Sequence, residues 1–320
     1  MRLYRLEKKR FAEFIGRLML DAEVIAPVKK DVVRFLPIAH PEEVHLEKNA
    51  FFPLKEYFFP QNQTLFQFDG KSFMAQVPKP KKRVFFGVRR CDLTAIRHQD
   101  IAFGEAGDPY YEAMRKSSLL IGYHCPKAPS PYCFCGSLPQ IEYFDLMFFD
   151  QQTHFLIETG SGEGEKAVEE HAEVFVPAET PKPDTKIPGA DRLHVGNIAP
   201  LYDHPDWKKG VDLCLSCGAC TALCPTCYCF EIHDELSTAD LSAGKRSRSW
   251  SSCQLPGFTR VAGDHVFRKE REHRFKHRIY HQLEYFKEKH GVPLCVGCGR
   301  CIEACPTRID FVKLLNGMKA

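Results

Sequence analysis

Two short stretches constrain this chain more than anything else in it. They read CLSCGACTALCP (214–225) and CVGCGRCIEACP (295–306), and both fit the spacing C-x2-C-x2-C-x3-C-P. That run holds a four-iron, four-sulfur cluster, and in two-cluster ferredoxins the fourth cysteine of each run serves the other cluster. The first three thiolates sit two residues apart on a tight loop whose amides can face the cluster sulfurs. Gly218 and Ala219 in one copy, and Gly297 and Gly299 in the other, let the main chain curl close. The proline stops the loop from continuing as regular helix. The expected assignment is Cys214, Cys217, Cys220 and Cys305 for a first cluster, with Cys295, Cys298, Cys301 and Cys224 for a second. Structural zinc also takes four cysteines, but its ligands usually come as separated pairs.

The rest of the chain must be organised around these runs. At 320 residues it is long enough for about two domains. A formal net charge of +3 is too mild to imply a nucleic-acid partner. No apolar run approaches the ~20 residues that span a bilayer, so no membrane partner is expected. The first twenty residues interleave charge and apolar character and do not form a secretory signal. The expected location is cytoplasmic. In a reducing compartment, fifteen cysteines point to metal ligands or redox groups and not to disulfides.

Phe11, Phe14, Ile15 and Leu18 give residues 6–20 a helical stripe. The aromatic stretch 51–75 reads as core. Residues 84–88 read as a strand, with Asp92 able to cap a helix over 93–103. Further strands are expected at 118–124 and twice within 144–158, then a helix after GSGEGEK (160–166). The fold expected is therefore an α+β or α/β domain over 1–180, a proline-rich linker at 181–207, and a mainly α-helical two-cluster ferredoxin domain over 208–320. The long gap between the cysteine runs favours that helical arrangement. Within it, 264–290 reads as one amphipathic helix with Phe275, Ile279, Leu283 and Phe286 on its apolar stripe and Arg and Lys on its solvated or docking faces. His273, His277 and His281 share one face and read as packing or surface histidines.

Seven cysteines remain. Cys91 and Cys125 each end an expected strand. If those strands are parallel neighbours their carboxyl ends lie together, where α/β sheets place ligands. Cys133 and Cys135, in a turn-rich loop, can fold over the same edge. These four are the candidate ligands of a third [4Fe-4S] cluster, with zinc or plain packed thiols as the alternatives. Cys227, Cys229 and Cys253 are surplus: packed thiols, ligands of a further metal, or redox thiols. GSGEGEK lacks G-x-G-x-x-G spacing and carries two glutamates where a pyrophosphate would sit. No flavin or nucleotide is expected on this chain, and no catalytic residues stand out.

Taken together, FFPLKEYFFP (51–60), GVRRCDLTAI (87–96), DPYYEAMR (108–115), IGYHCP with PYCFCGS (121–126, 131–137), CLSCGACTALCPTCYCF (214–230), RSWSSCQLPGF (248–258) and CVGCGRCIEACP resemble one family across roughly 50–310. It is the beta, iron–sulfur subunit of cytoplasmic NADP-linked nickel–iron sulfhydrogenases, together with the corresponding iron–sulfur subunit of anaerobic sulfite reductase. One departure is Arg90, where the family pattern has proline before the Cys-Asp pair. The resemblance implies a non-catalytic electron-transfer subunit in an oxidoreductase complex. It would relay single electrons from or to an FAD-containing NAD(P)H oxidoreductase subunit. At the other end would stand a catalytic hydrogenase or sulfite reductase subunit. The surplus cysteines motivate an alternative, a cluster-based disulfide or polysulfide reductase in its own right. A metal-stabilised interaction module is a third reading.

Overall fold

The computed structural model describes residues 2–318. The chain opens with β1 (Leu3–Glu7), α1 (Phe11–Asp21) and the hairpin β2 (Glu23–Lys29) and β3 (Val33–Pro37), followed by β4 (Asn62–Phe68) and β5 (Phe73–Ala75). Then come β6 (Arg83–Val88), α2 (Arg90–Glu105), α3 (Pro109–Lys116), β7 (Ser118–Tyr123), β8 (Leu146–Asp150), β9 (His154–Thr159), α4 (Gly162–Glu170) and β10 (Val176–Pro177). The remainder carries α5 (Trp207–Leu213), α6 (Ala219–Ala222), β11 (Phe230–Leu236), β12 (Gly244–Trp250), α7 (Arg271–Tyr280), α8 (Phe286–His290), α9 (Arg300–Glu303) and α10 (Phe311–Gly317).

Eight strands form one sheet in the order β10-β1-β9-β8-β7-β6-β2-β3. Its centre is parallel, from β2 through β6 and β7 to β8, and its flanks are antiparallel. The parallel strands are apolar along their whole length because both faces are covered. On one face Val84, Phe86 and Phe148 pack with Phe14, Ile15 and Leu18 of α1. On the other, Phe85, Val88 and Met147 meet Leu93, Ile96 and Phe103 of α2 and the aromatics Phe58 and Phe59. The helix expected at 6–20 begins only at Phe11, because residues 3–7 are taken into the sheet beside β9. Asp92 does not cap α2. That helix starts at Arg90, and Asp92 lies buried in its first turn.

Three expectations for the second half need correction. The region from 208 is not mainly helical, since β11 and β12 form a seven-pair antiparallel hairpin within it. This hairpin joins β4 and β5 in a second sheet, order β11-β12-β4-β5. Strands from both expected domains therefore share one sheet, and 1–180 and 208–320 are interlocked. Residues 181–207 are likewise no free linker: Ile187, Ala190, Ile198, Leu201 and Trp207 are buried, and the Gly136 amide donates to the Ala190 carbonyl at 2.7 Å. The helix expected over 264–290 begins only at Arg271 and passes through a single π-turn, His281–Tyr285, into α8. Its apolar stripe is buried as expected, but Arg274, Lys276 and Arg278 are buried too, against the expectation of a solvated face.

A buried ion pair ties the halves together. The Arg300 guanidinium donates to both Asp92 carboxylate oxygens at 2.7 Å, to the Ala50 carbonyl at 2.7 Å and to the Asn49 side-chain oxygen at 2.9 Å. Both charged side chains are almost wholly out of solvent. Removing one partner strands the other, at a cost of about 3–5 kcal/mol. Asp92→Ala is therefore expected to lower unfolding stability by that amount in a denaturant titration. A loss below about 1 kcal/mol would show that this ion pair does not hold the halves together.

Candidate iron–sulfur sites

Each cysteine run folds as a loop entering a one-turn helix. Gly218 precedes α6 with φ +78°, and Gly299 precedes α9 with φ +76°, left-handed conformations that favour glycine. The two short helices lie side by side. This pairing carries the last cysteine of each run across to the opposite loop.

The first expected set comes together. Cys214, Cys217, Cys220 and Cys305 line one cavity of about 70 Å3, with Arg278, Phe275 and Ile279 of α7 on its far wall. The second set comes together too: Cys224, Cys295, Cys298 and Cys301 line a smaller cavity beside Phe134. Cys301 and Arg278 border both. Among the described residues no three Cys, His, Asp or Glu side chains close on a point as a single-ion site requires. The sulfurs ring cavities instead, whereas zinc would draw four of them to about 2.3 Å from one centre.

Burial dominates the chemistry of three of these thiols. It pushes Cys220 and Cys295 up to about 12, and Cys301 well above the ordinary thiol value. Left to themselves such groups stay protonated; a bound metal would have to displace the protons. Arg278 offsets part of that cost. It is buried among the Cys227, Cys224, Cys220 and Cys301 sulfurs. One of its Nη atoms donates to the Cys220 carbonyl at 3.2 Å, while its Nε has no hydrogen-bond partner among the described residues. A buried guanidinium with an unused donor beside eight converging thiols fits an anionic iron–sulfur group, as does the all-cysteine donor set. Such a group would supply reversible one-electron chemistry. Sequence reasoning missed Arg278: among the many Arg and Lys of 264–290, only the helical phase of Phe275 and Ile279 hinted that it faced inward.

The third expected set is brought together at the sheet edge. Strands β6 and β7 are parallel neighbours, and Cys91 and Cys125 follow them directly. Both pack with Cys133 and Cys135 in one buried cluster that also takes in Val296 and Cys298 of the second run. The Cys133 thiol lies 3.8 Å from the Cys298 carbonyl. Contact between the two loops is main chain to main chain: a Cβ on Gly297 would stand 2.5 Å from the Cys135 backbone, and one on Gly299 would stand 2.5 Å from the Tyr132 carbonyl. Arg89 and Arg90 are buried here with guanidinium nitrogens that find no partner among the described residues. Arg90 fills the first position of α2, where proline is also at home, so the departure at this position leaves the turn intact.

The three surplus cysteines do not gather as one set. Cys227 sits against Cys224, while Cys229 and Cys253 face one another, the second thiol held low by the first. His277 and His281 stack on each other at 5.6 Å. Burial takes both down to about 4, so they are neutral packing groups near pH 7. GSGEGEK is no separate turn before the helix: Ser161 caps α4, which already begins at Gly162.

The loop contacts make a sharp stability test. Gly297→Ala combines φ +66° with a backbone collision and should cost roughly 1–3 kcal/mol. Gly16, inside α1 with open space around its Cα, should gain about 0.5–1 kcal/mol as alanine. Thermal melts of the two variants should move in opposite directions.

Comparisons with known proteins agree with this geometry. A 4Fe-4S dicluster domain family matches residues 213–309. The chain is 33% identical to the sulfhydrogenase 2 subunit beta of Pyrococcus furiosus, over 100% of this chain and 99% of that protein. No solved structure matches. Among the described residues no helix is long and apolar enough to cross a membrane. With full-length similarity added to paired cysteine loops around two cavities, the chain belongs to the family of sulfhydrogenase beta subunits.

Proposed function

We propose that the chain is an electron relay with three [4Fe-4S] sites in series. The first and second are the ferredoxin sites already described. The third is held by Cys91, Cys125, Cys133 and Cys135. One observation carries this reading: the third cysteine set shares a packed cluster with Cys298 of the second, and the second shares Cys301 and Arg278 with the first. Arg89 and Arg90, buried and under-bonded beside Cys125, support an anionic occupant at the third position, since an uncompensated buried cation is costly.

The two ends of this series differ. The first site reaches the surface: Cys217 is exposed, with the exposed apolar Leu213 and Leu215 beside it. The third is enclosed by residues 187–190 and the 131–137 loop. An exposed ligand with apolar neighbours suits exchange of electrons with a second protein. The partners proposed are an FAD-containing subunit handling NAD(P)H on one side and a catalytic subunit, hydrogenase or sulfite reductase, on the other, in a cytoplasmic complex. The chain itself contributes no catalytic residue in this scheme.

Iron analysis tests it. Anaerobically purified protein should carry about twelve irons and as many acid-labile sulfides. Cys91→Ser or Cys125→Ser should remove about four of each and leave the others. A wild-type count near eight, unchanged in those variants, would reduce the relay to two sites. Zinc without iron would reject it altogether.

Arg278 supplies a second test. A cation near a cluster stabilises its more negative, reduced form, and charge is one of the levers on cluster potential. Arg278→Gln should shift the midpoint potentials of the ferredoxin sites downward in an EPR-monitored titration, and Arg278→Lys should shift them less. Unchanged potentials would restrict Arg278 to a packing role.

A further inference from the structure

The relay reading leaves Cys229 and Cys253 without a role, and their surroundings suggest one. Cys229 immediately precedes β11 and Cys253 follows β12 by three residues. The hairpin register pairs Phe230 with Trp250, and the Ser251 amide donates to the Cys229 carbonyl at 2.9 Å. The hairpin end thus holds the two thiols face to face. Among the described residues no single-ion site is formed around them, and no third cysteine completes the pair, because Cys227 turns to Cys224.

The pair also has access and a charge. Cys229 lines a cavity of about 390 Å3 that opens beside the exposed Cys217. On its wall stands Lys55, whose ammonium is buried under the Trp250 ring at 4.0 Å and donates to the carbonyls of Thr221 at 3.2 Å and Cys227 at 3.0 Å. Arg278 lies close to both thiols as well. Two buried basic side chains thus stand close to the pair, where thiol–disulfide exchange develops negative charge on sulfur. On the inner side, Cys253 is close to Cys220, a member of the first ferredoxin set.

We propose that Cys229 and Cys253 form a redox-active pair that exchanges with small organic disulfides entering this cavity. The two facing sulfurs share one proton when one of them is ionised, and Cys229 is the one that lines the cavity. In the first step the Cys229 sulfur passes its proton to the facing Cys253 sulfur and attacks one sulfur of the disulfide RSSR. A mixed disulfide forms, and one RS⁻ leaves and takes a proton. The Cys253 sulfur then attacks Cys229, closing the intramolecular disulfide and releasing the second RSH. The two protein thiols lose two electrons and two protons, and the small disulfide gains them. Two electrons and two protons restore the dithiol. This last stage rests on the relay reading, in which single electrons reach the pair from the adjoining first site.

The test uses the intact holoprotein under anaerobic conditions. The reduced protein is incubated with bis(2-hydroxyethyl) disulfide, freed of reagent, alkylated and mapped by mass spectrometry. Cys229 and Cys253 should be recovered joined to each other, with iron and acid-labile sulfide unchanged. A titration with titanium(III) citrate should then consume two more electrons per chain than the same titration of Cys229→Ser, whose iron content should match wild type. Recovery of both residues as free alkylated thiols overturns the proposal. So does a loss of iron in Cys229→Ser or Cys253→Ser, which would make them ligands. Neither result depends on whether the third cluster exists, so the relay and the pair fail separately.

Discussion

The structure depends on placing positive charge inside a sulfur-rich interior. Twelve cysteines converge in three sets, and half of them are buried. A protein interior resists ionised thiols, as the upward displacement of Cys91, Cys135, Cys295 and Cys301 by burial indicates. The fold answers with guanidinium and ammonium groups drawn from distant parts of the chain. Arg278 comes from α7, Arg300 from the second run, Arg89 and Arg90 from the start of α2, and Lys55 from the aromatic segment. Several retain unsatisfied nitrogens. Buried cations with spare donors are costly in an empty protein, and they become favourable where an anionic group is their neighbour. Arg300 is the exception in being fully matched, by Asp92 and two carbonyl-type oxygens. Its task is to lock the second loop onto the α/β sheet.

The same requirement explains why the two halves of the chain are interlocked. A ferredoxin unit standing alone could bind two clusters, but it would leave the third set a variable distance away. Here the β11–β12 hairpin leaves the ferredoxin region and pairs with β4, fixing the unit from one side. Residues 187–201 fix it from the other. The aromatic segment 51–60 then serves both halves: Phe58 and Phe59 fill the core beneath the large sheet, while Lys55 reaches the cysteine tail 224–229.

Much of this is legible in the sequence where chemistry and spacing coincide. The two runs, with their glycines and prolines, dictate the cross-over of Cys224 and Cys305, and the cavities follow it. The apolar run VFFGV predicts a strand, and a cysteine just past it marks the sheet edge if its neighbour is parallel, as it is. What escapes is anything set by long-range pairing. The strands β4, β11 and β12 are polar and partly exposed, so neither alternation nor hydrophobicity separates them from loop. Nor does anything local tell Asn62 that its partner is Ser249. The inward turn of Arg274, Lys276 and Arg278 escapes for a related reason. Charge on an amphipathic helix reads as solvated face unless the opposing surface is known to be sulfur. The proline-rich 181–207 stretch misleads because composition reports local stiffness and says nothing of what the segment packs against.

The contact between the second and third cysteine sets differs in kind from the others. Side chains such as Arg278 separate the first and second sites, and side chains can be exchanged or can change rotamer. Between the second and third sites, main chain meets main chain: Gly297 lies on Cys135 and Gly299 on Tyr132, and the Phe134 amide donates to the Gly297 carbonyl at 2.8 Å. A Cβ would not fit at either glycine. Spacing enforced by backbone tolerates drift in the surrounding side chains, because those side chains do not set it. For the proposed relay this bears on rate, because electron transfer falls steeply with distance and a series of sites is limited by its longest gap. The gap between the third cysteine set, in the α/β half, and the second, in the ferredoxin half, is bounded by main chain on both sides. It is held by two glycines and a backbone hydrogen bond.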